Sequence, residues 1–480
     1  MSLTLGFWLP FALHLGLALV YRFALGISID EGIGIERWEE FWQTLPMASL
    51  CSDLAQSLWN LHAQPPLFNL YGAFFGRTFG AEALDYMHVA NILLGSVLSG
   101  MVYVVGLECC HRKALAFAVS MAIALHPALF LYEAYVLYTL LAAFLVVAAM
   151  FCLARFAASG RRAWLAAFVL CINVLILTRS VFHPVLLLLC IPLVCVLAGP
   201  RWRTTLAMSL AISCLSIGWY AKNLVKFGTF EGSSWSGMAL WKAATRKYSR
   251  KEIAKLADQG VLDRVVSEVP VYSRPSAYVK FGFDLRSDVA SLSRDDYHNI
   301  NMIRISRLYL RNALRLIRHD PILYLAMLGQ AFRTFCRPSS SHVFLDGNAR
   351  RIDAHVTIGA GILQGEWVAK RVRAMLGGKG DFGSFLILLI PSSVLVYLAS
   401  CLRTCGSSLG KWICYLRSDA VMALGSVLIA YTTLVCCCLE YGENNRFKFM
   451  VEPLLWVFIV TVFYRVYERR VREKGESPAH

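Results

Sequence analysis

The chain has 480 residues, 57% hydrophobic and only 16% charged, with a net charge of +16 and 15 cysteines. Soluble domains carry about 25% charged residues, so this length reads as one polytopic membrane domain with a wet insertion, not as two or three soluble domains. The excess of lysine and arginine lies in short clusters without any nucleic-acid motif, which sets nucleic acid aside as a partner and points to basic loops beside a lipid bilayer.

Apolar runs near spanning length occur at 4–24, 86–107, 114–132, 134–156, 163–178, 182–198, 204–221, 384–402, 418–438 and 447–466. The expected fold is therefore all-α and polytopic, a bundle of about 10–11 transmembrane helices. The first run follows no charged leader and shows no small-residue cleavage site, so it reads as a retained span.

Orientation follows from the bases. With the N-terminus inside, the inner connections carry Arg112 and Lys113, Arg155, Arg161 and Arg162, Arg201 and Arg203, then Arg403 and Lys411. That is the positive-inside pattern. Asp30, Glu31, Glu133, Arg179, the 222–381 insertion and the 439–446 turn then share one outer face. The chain divides into a transmembrane module at 1–221, an outer-face insertion at 222–381, and C-terminal helices with a basic cytoplasmic tail at 382–480.

The first outer loop, 25–85, has Trp38, Phe41, Trp42 and Leu45, then Leu50, Leu54, Leu58 and Leu61, at helical spacing. These predict juxtamembrane amphipathic helices with tryptophans at headgroup depth. The apolar stretch 65–79 is short for a span and reads as juxtamembrane. In the insertion, Arg304, Arg307, Arg311, Arg315 and Arg318 form one helical stripe. It is either a solvated face or a surface for an anionic acceptor or lipid phosphates. The stretch 321–336 is apolar enough to dip into a bilayer. Most cysteines sit in apolar runs as small apolar residues; Cys51 and Cys336 are the two placed outside and could form a disulfide.

Acids at the ends of membrane helices are costly to bury and often functional. Asp30 and Glu31 follow the first span, and Glu133 sits between two runs with almost no loop. Two such acids facing one cavity could act as general base and divalent-metal ligand. Pro65-Pro66 makes a rigid turn that would hold His62 and Gln64 over a cavity. Arg179, Lys222, Arg446 and Lys448 are cations at outer helix ends, suited either to snorkelling or to binding a phosphate. The chain contains no Walker loop, dinucleotide-binding glycine fingerprint or zinc-protease motif.

In order along the chain come Asp30-Glu31, His62-Ala63-Gln64-Pro65-Pro66-Leu67, Leu125-His126-Pro127 with Tyr132-Glu133, and Leu177-Thr178-Arg179. Gly218-Trp219-Tyr220-Ala221-Lys222-Asn223 with Phe227-Gly228, His319-Asp320-Pro321, and Asn445-Arg446-Phe447-Lys448-Phe449 with Glu452-Pro453 complete the series. This series resembles polytopic GT-C glycosyltransferases of the protein O-mannosyltransferase and lipid A aminoarabinose transferase type. Lys222 stands for the usual arginine, Gly218 for the usual proline, and His88 where relatives often carry an arginine.

The resemblance implies a GT-C-like bundle that transfers a sugar, with inversion, from a polyprenyl-phosphate donor to an acceptor hydroxyl on the outer face. The acceptor would be a glycan, a lipid or a protein, and the membrane a bacterial inner membrane or an endoplasmic-reticulum membrane. Asp30, with Glu31 beside it, would be the base. Glu133 would complete the acidic site, with a divalent cation, magnesium or manganese, as its partner. Arg179, Lys222, Asn223, Arg446 and Lys448 would hold the donor phosphate, and His62 and Gln64 the substrate. Two readings from other classes stand beside this one, a transporter or flippase of a lipid-linked saccharide and a non-catalytic envelope-assembly protein.

Overall fold

The computed structural model describes residues 2–29, 38, 42–375 and 384–473. Asp30 and Glu31 lie outside the described residues. Within these limits the chain is all helix and turn, without strands, and it is a multi-pass membrane protein.

The transmembrane module begins with α1 (Leu3–Ala24). The first loop contributes α2 (Met47–Ser52), α3 (Leu54–Asn60) and α4 (Leu67–Phe79). The hub is α5 (Ala83–Cys110), followed by α6 (Lys113–Ala124), α7 (Pro127–Glu133) and α8 (Thr139–Ser159). Then come α9 (Arg162–Thr178), α10 (Val185–Ala198) and α11 (Trp202–Phe227). The insertion is built on α12 (Ser236–Ala244), α13 (Asn301–His319), α14 (Pro321–Cys336) and α15 (Asp353–Leu363). The chain returns through α16 (Leu386–Cys405), α17 (Ala420–Leu439), the short α18 (Asn444–Phe449) and α19 (Glu452–Glu473).

All ten expected spans fall on helices. Among the described residues six helical stretches are long and apolar enough to cross a membrane, and the bent pair α6 and α7 makes a seventh, fewer than the 10–11 expected because some expected spans are short or run together in one stretch. The tenth run differs from expectation, because α18 ends before Met450 and α19 begins at Glu452. The bend of 48° between α6 and α7 falls at Leu125-His126-Pro127. Pro127 has no N–H to give the preceding turn and disfavours helical backbone at His126. The His126 ring caps the new helix by accepting from the Ala128 N–H at 3.2 Å.

The centre of the bundle is α5, packed on α1, α6, α8 and α19. Its small residues set how closely these approach. A Cβ on Gly100 would stand 2.9 Å from the Phe7 carbonyl oxygen of α1. The Ser120 hydroxyl of α6 donates to the Ser99 carbonyl at 2.7 Å. Between apolar helices, such close approach and interhelical bonding replace a hydrophobic drive.

Several details of the outer segments differ from expectation. Trp38 is fully buried, stacked on Phe68 with its indole N–H on the Leu45 carbonyl at 2.9 Å, so it is a core residue and not a headgroup anchor. Cys51 and Cys336 form no disulfide; all 15 cysteines are free. The arginine stripe lies on the exposed side of α13, with Ile305, Tyr309, Ala313 and Leu316 buried opposite. Four of its members are committed locally: Arg311 and Arg315 to Asp263, Arg307 to the Gly228 carbonyl, and Arg304 over the Phe283 ring. Helix α14 packs on α17 and α18, with the Tyr324 hydroxyl on the Cys438 carbonyl at 2.8 Å. Its opposite side leaves Ile322 and Leu325 exposed.

Candidate functional site

The expected site residues separate into three groups. The first is the turn at 62–66, stapled between α11 and the insertion. The His62 Nε2 faces the His298 carbonyl at 3.0 Å, so it must carry the proton and donate. The Nδ1 then accepts from the Ser234 hydroxyl at 2.9 Å. Burial, then the nearby His298, push His62 down to about 3, so the ring is neutral at ordinary pH. The Gln64 amide donates to Ser233 at 3.4 Å, and its carbonyl accepts from Ser180, the neighbour of Arg179. The Lys222 ammonium donates to the Leu61 carbonyl at 2.8 Å and lies 3.6 Å from the Trp219 ring centroid. The Asn223 amide donates to the Glu231 carbonyl at 2.7 Å. These four residues shape the turn through bonds that are already made.

The second group surrounds Glu133. Its Oε1 meets the His14 Nε2 of α1 at 2.5 Å, and both side chains are buried. The His14 Nδ1 faces the Ala124 carbonyl at 2.7 Å and must donate there. One proton is therefore shared at the Nε2–Oε1 contact, as imidazolium with carboxylate or as neutral imidazole with carboxylic acid. Gly95 of α5 makes room for this pair, since a Cβ there would fall 2.0 Å from Glu133 Oε1. Asn91 donates to the Glu133 carbonyl at 2.9 Å. Nearby, Arg22 of α1 reaches both His88 and Asp85, so a cation stands beside His88. No group of three or more histidine, cysteine, aspartate or glutamate side chains among the described residues could hold a metal ion.

The third group brings Arg179 and Arg446 together, 267 residues apart in sequence. Arg179 lies 4.2 Å from the Tyr138 ring centroid and 5.1 Å from that of Phe447. Arg446 lies 5.9 Å and 5.2 Å from the same two centroids. Arg446 is paired with Glu443 at 2.5 Å and donates to the Tyr135 hydroxyl at 3.3 Å. Burial opposes its charge, but Glu443 outweighs burial and holds the guanidinium ionised. Burial likewise works against the Glu443 carboxylate, while Arg446 and then Lys242 and His342 hold it below its usual range.

Arg179 has no such partner. It is 7% exposed, and burial pulls its affinity for the proton down. Its Nε is unbonded, as are the Tyr138 hydroxyl, the Arg446 Nε and the His342 Nε2. Glu440, the other nearby acid, is held by Lys242 at 2.7 Å. Among the described residues, two buried guanidiniums thus share one carboxylate, Glu443, that is not held by a lysine. An uncompensated buried charge costs several kcal/mol.

Lys448 is placed elsewhere. It is fully buried, bonded to Glu452 at 2.9 Å and to the Arg337 carbonyl at 2.8 Å. Glu452 also accepts from Ser339 at 2.5 Å and Gln364 at 3.2 Å. This network anchors α18 and α19 behind Arg446.

Sequence reasoning passed over Tyr138, Glu443, His342 and His14. Glu443 stands three residues before Arg446, and Tyr132, Tyr135 and Tyr138 recur at spacing three, so both signals were present. No local signal points to His342 or His14.

Beside the cation pair, Trp42, Trp235, Tyr272 and Tyr297 form an aromatic group, with Trp42 stacked on Tyr297 at 4.4 Å. Tyr272 holds a left-handed backbone, φ 63°, and its ring feels Glu440, Glu443 and Arg179.

No family model and no curated protein matches the chain. Two solved structures match it over most of its length. One is ArnT from Cupriavidus metallidurans in the apo state, 14% identical, covering 95% of this chain and 76% of that one, with a TM-score of 0.33. The other is the same protein bound to undecaprenyl phosphate, 12% identical, covering 96% and 79%, also with a TM-score of 0.33.

Proposed function

We propose that this protein is a membrane glycosyltransferase that moves a sugar from a polyprenyl-phosphate donor to an acceptor hydroxyl on the outer face. The observation that carries this reading is the guanidinium of Arg179, which among the described residues has no ion-pair partner, beside Arg446 in a nest where the Tyr138 hydroxyl and the His342 Nε2 also lack hydrogen bonds. A phosphate would supply the missing negative charge and accept the free N–H groups, and arginine is suited to do this with two parallel bonds. The ordered motifs around Asp30, Glu133, Arg179 and Arg446 support the same reaction class.

In this scheme the acceptor oxygen attacks the anomeric carbon from the face opposite the phosphate. The bond from that carbon to the phosphate oxygen breaks, and the configuration inverts. The acceptor proton passes to the Asp30 carboxylate. The polyprenyl phosphate leaves with one more negative charge, and Arg179 and Arg446 stabilise that charge where it develops. Glu133, through its bond to His14, fixes α7 against α1, the helix that leads to Asp30. Glu133 Oε1 is bonded to His14, and no step of this scheme runs through a metal.

The experiment is sugar transfer by the purified full chain from a polyprenyl-phosphate sugar, comparing the native protein with Asp30→Asn and Arg179→Gln. Loss of transfer in Asp30→Asn with donor binding retained supports the base assignment, and full transfer by this variant removes it. The bend at Leu125-His126-Pro127 favours the alternative of a transporter, since transporters use broken helices. Movement of the lipid-linked sugar across vesicles without any transfer would establish that reading instead.

A further inference from the structure

The site above lies at the N-terminal end of α8 and the C-terminal end of α17. The opposite ends of these helices are about 30 Å away at 1.5 Å per residue. There, beside the basic connections, a cavity of about 350 Å³ opens among Glu108, Phe156, Gly160, Leu197, Arg417 and Asp419.

Three helix C-termini converge on this cavity, those of α5, α8 and α10. Each ends in a positive-φ residue, namely His111, Gly160 and Gly199. Their dipoles give this end a negative potential, which Arg465 on the Cys109 carbonyl and Arg417 on the Val196 carbonyl offset only in part. Glu108, in the last turn of α5, adds a carboxylate where the helix dipole already disfavours one. Asp419 is fully engaged: Arg465 grips it at 2.7 and 2.8 Å and Tyr415 donates at 2.9 Å. Glu108 has no such partner among the described residues. At the rim, the Arg417 Nε donates to the Val196 carbonyl at 3.0 Å. That bond fixes the side chain and leaves its outer N–H groups for a ligand. Phe156 and Leu197 supply apolar wall.

A ligand suited to this cavity carries an ammonium for Glu108 and the helix ends, an anion for Arg417, and an apolar portion for the wall. A purely anionic headgroup would meet Glu108 and three negative helix ends. A lone metal ion would find one free carboxylate. We infer that the cavity binds a zwitterionic phospholipid with a primary ammonium, its amine on Glu108, its phosphate on Arg417 and its acyl chains along Phe156 and Leu197.

The test uses the full chain, purified and delipidated in detergent, with phosphatidylethanolamine, phosphatidylglycerol and water-soluble phosphoethanolamine as probes. Lipid retention is read by native mass spectrometry and stabilisation by thermal unfolding. Phosphatidylethanolamine should be retained and should raise the unfolding temperature. Glu108→Gln should weaken it about tenfold, the usual worth of a hydrogen bond to a charged group, and Arg417→Gln should weaken it too. Glu108→Asp, which keeps the charge, should restore part of the affinity and shows that a loss in Glu108→Gln is not misfolding. Polyprenyl-phosphate binding at the opposite end should be unchanged in all three variants. Equal retention of phosphatidylglycerol, or no effect of Glu108→Gln, would overturn the assignment. An equal shift with phosphoethanolamine would overturn the lipid in favour of a soluble ammonium phosphate ester.

Discussion

Arg179 and Arg446 share the rings of Tyr138 and Phe447, yet among the described residues only Arg446 is paired with a carboxylate, Glu443 at 2.5 Å. This asymmetry makes the two arginines different experimentally. Arg446 is part of the scaffold and the site at once, whereas Arg179 is ion-paired with no carboxylate among the described residues.

Arg446→Gln should strip Glu443 of its partner and destabilise the fold by about 3–5 kcal/mol, the usual cost of breaking a buried pair from one side. Arg179→Gln should leave thermal stability unchanged or raise it. Its loss should appear in polyprenyl-phosphate binding, weakened about tenfold or more for one charged contact. Thermal unfolding with and without the lipid phosphate separates the two effects, and equal destabilisation by both variants would refute the asymmetry.

Gly95→Ala should act on Glu133 without touching it. The added methyl would fall 2.0 Å from the carboxylate oxygen and push it off His14. Steric intrusion of this kind costs about 1–3 kcal/mol. Glu133→Gln keeps the shape and can donate to His14, so it should cost less than His14→Leu, which strands a buried acid. Unfolding of the three variants in one detergent checks the order.

The His62 staple predicts an acid-sensitive first loop. Its folded value of about 3 lies below the ordinary 6.5, so the unfolded state takes up the proton first. The stability it contributes is complete above pH 6.5 and falls away as the pH drops from 6.5 toward 3. Hydrogen exchange at 61–64 and 233–234 should rise over that window, and His62→Gln should remove much of the pH dependence. A flat profile in the native protein would show that the staple carries no stability.

The orientation itself is testable. A single accessible cysteine placed at position 30 should react with a membrane-impermeant reagent from outside, and one at Gly160 should not. The reverse result would turn every assignment of faces around.

The bundle was legible from the chain because apolar runs near membrane length and basic short connections are local properties. Eight of the ten runs lie mainly on one helix each, 114–132 and 447–466 are each split over two, and the break at Pro127 follows from the missing N–H. The residue types at the site were legible as well, since Arg179, Arg446 and Glu133 all stand at helix ends. Which of them meet was not legible. His14 and Glu133 are 119 residues apart, and Arg179 and Arg446 are 267 apart.

Packing alone decided that His62, Gln64, Lys222 and Asn223 would be engaged in holding a turn, and that Lys448 would pair with Glu452. It also left Arg179 without an ion-pair partner among the described residues. Sequence order determines which groups a helix end carries. Only the close approach of distant helices determines whether such a group finds a partner within the protein, because hydrogen bonds and ion pairs act over a few ångströms.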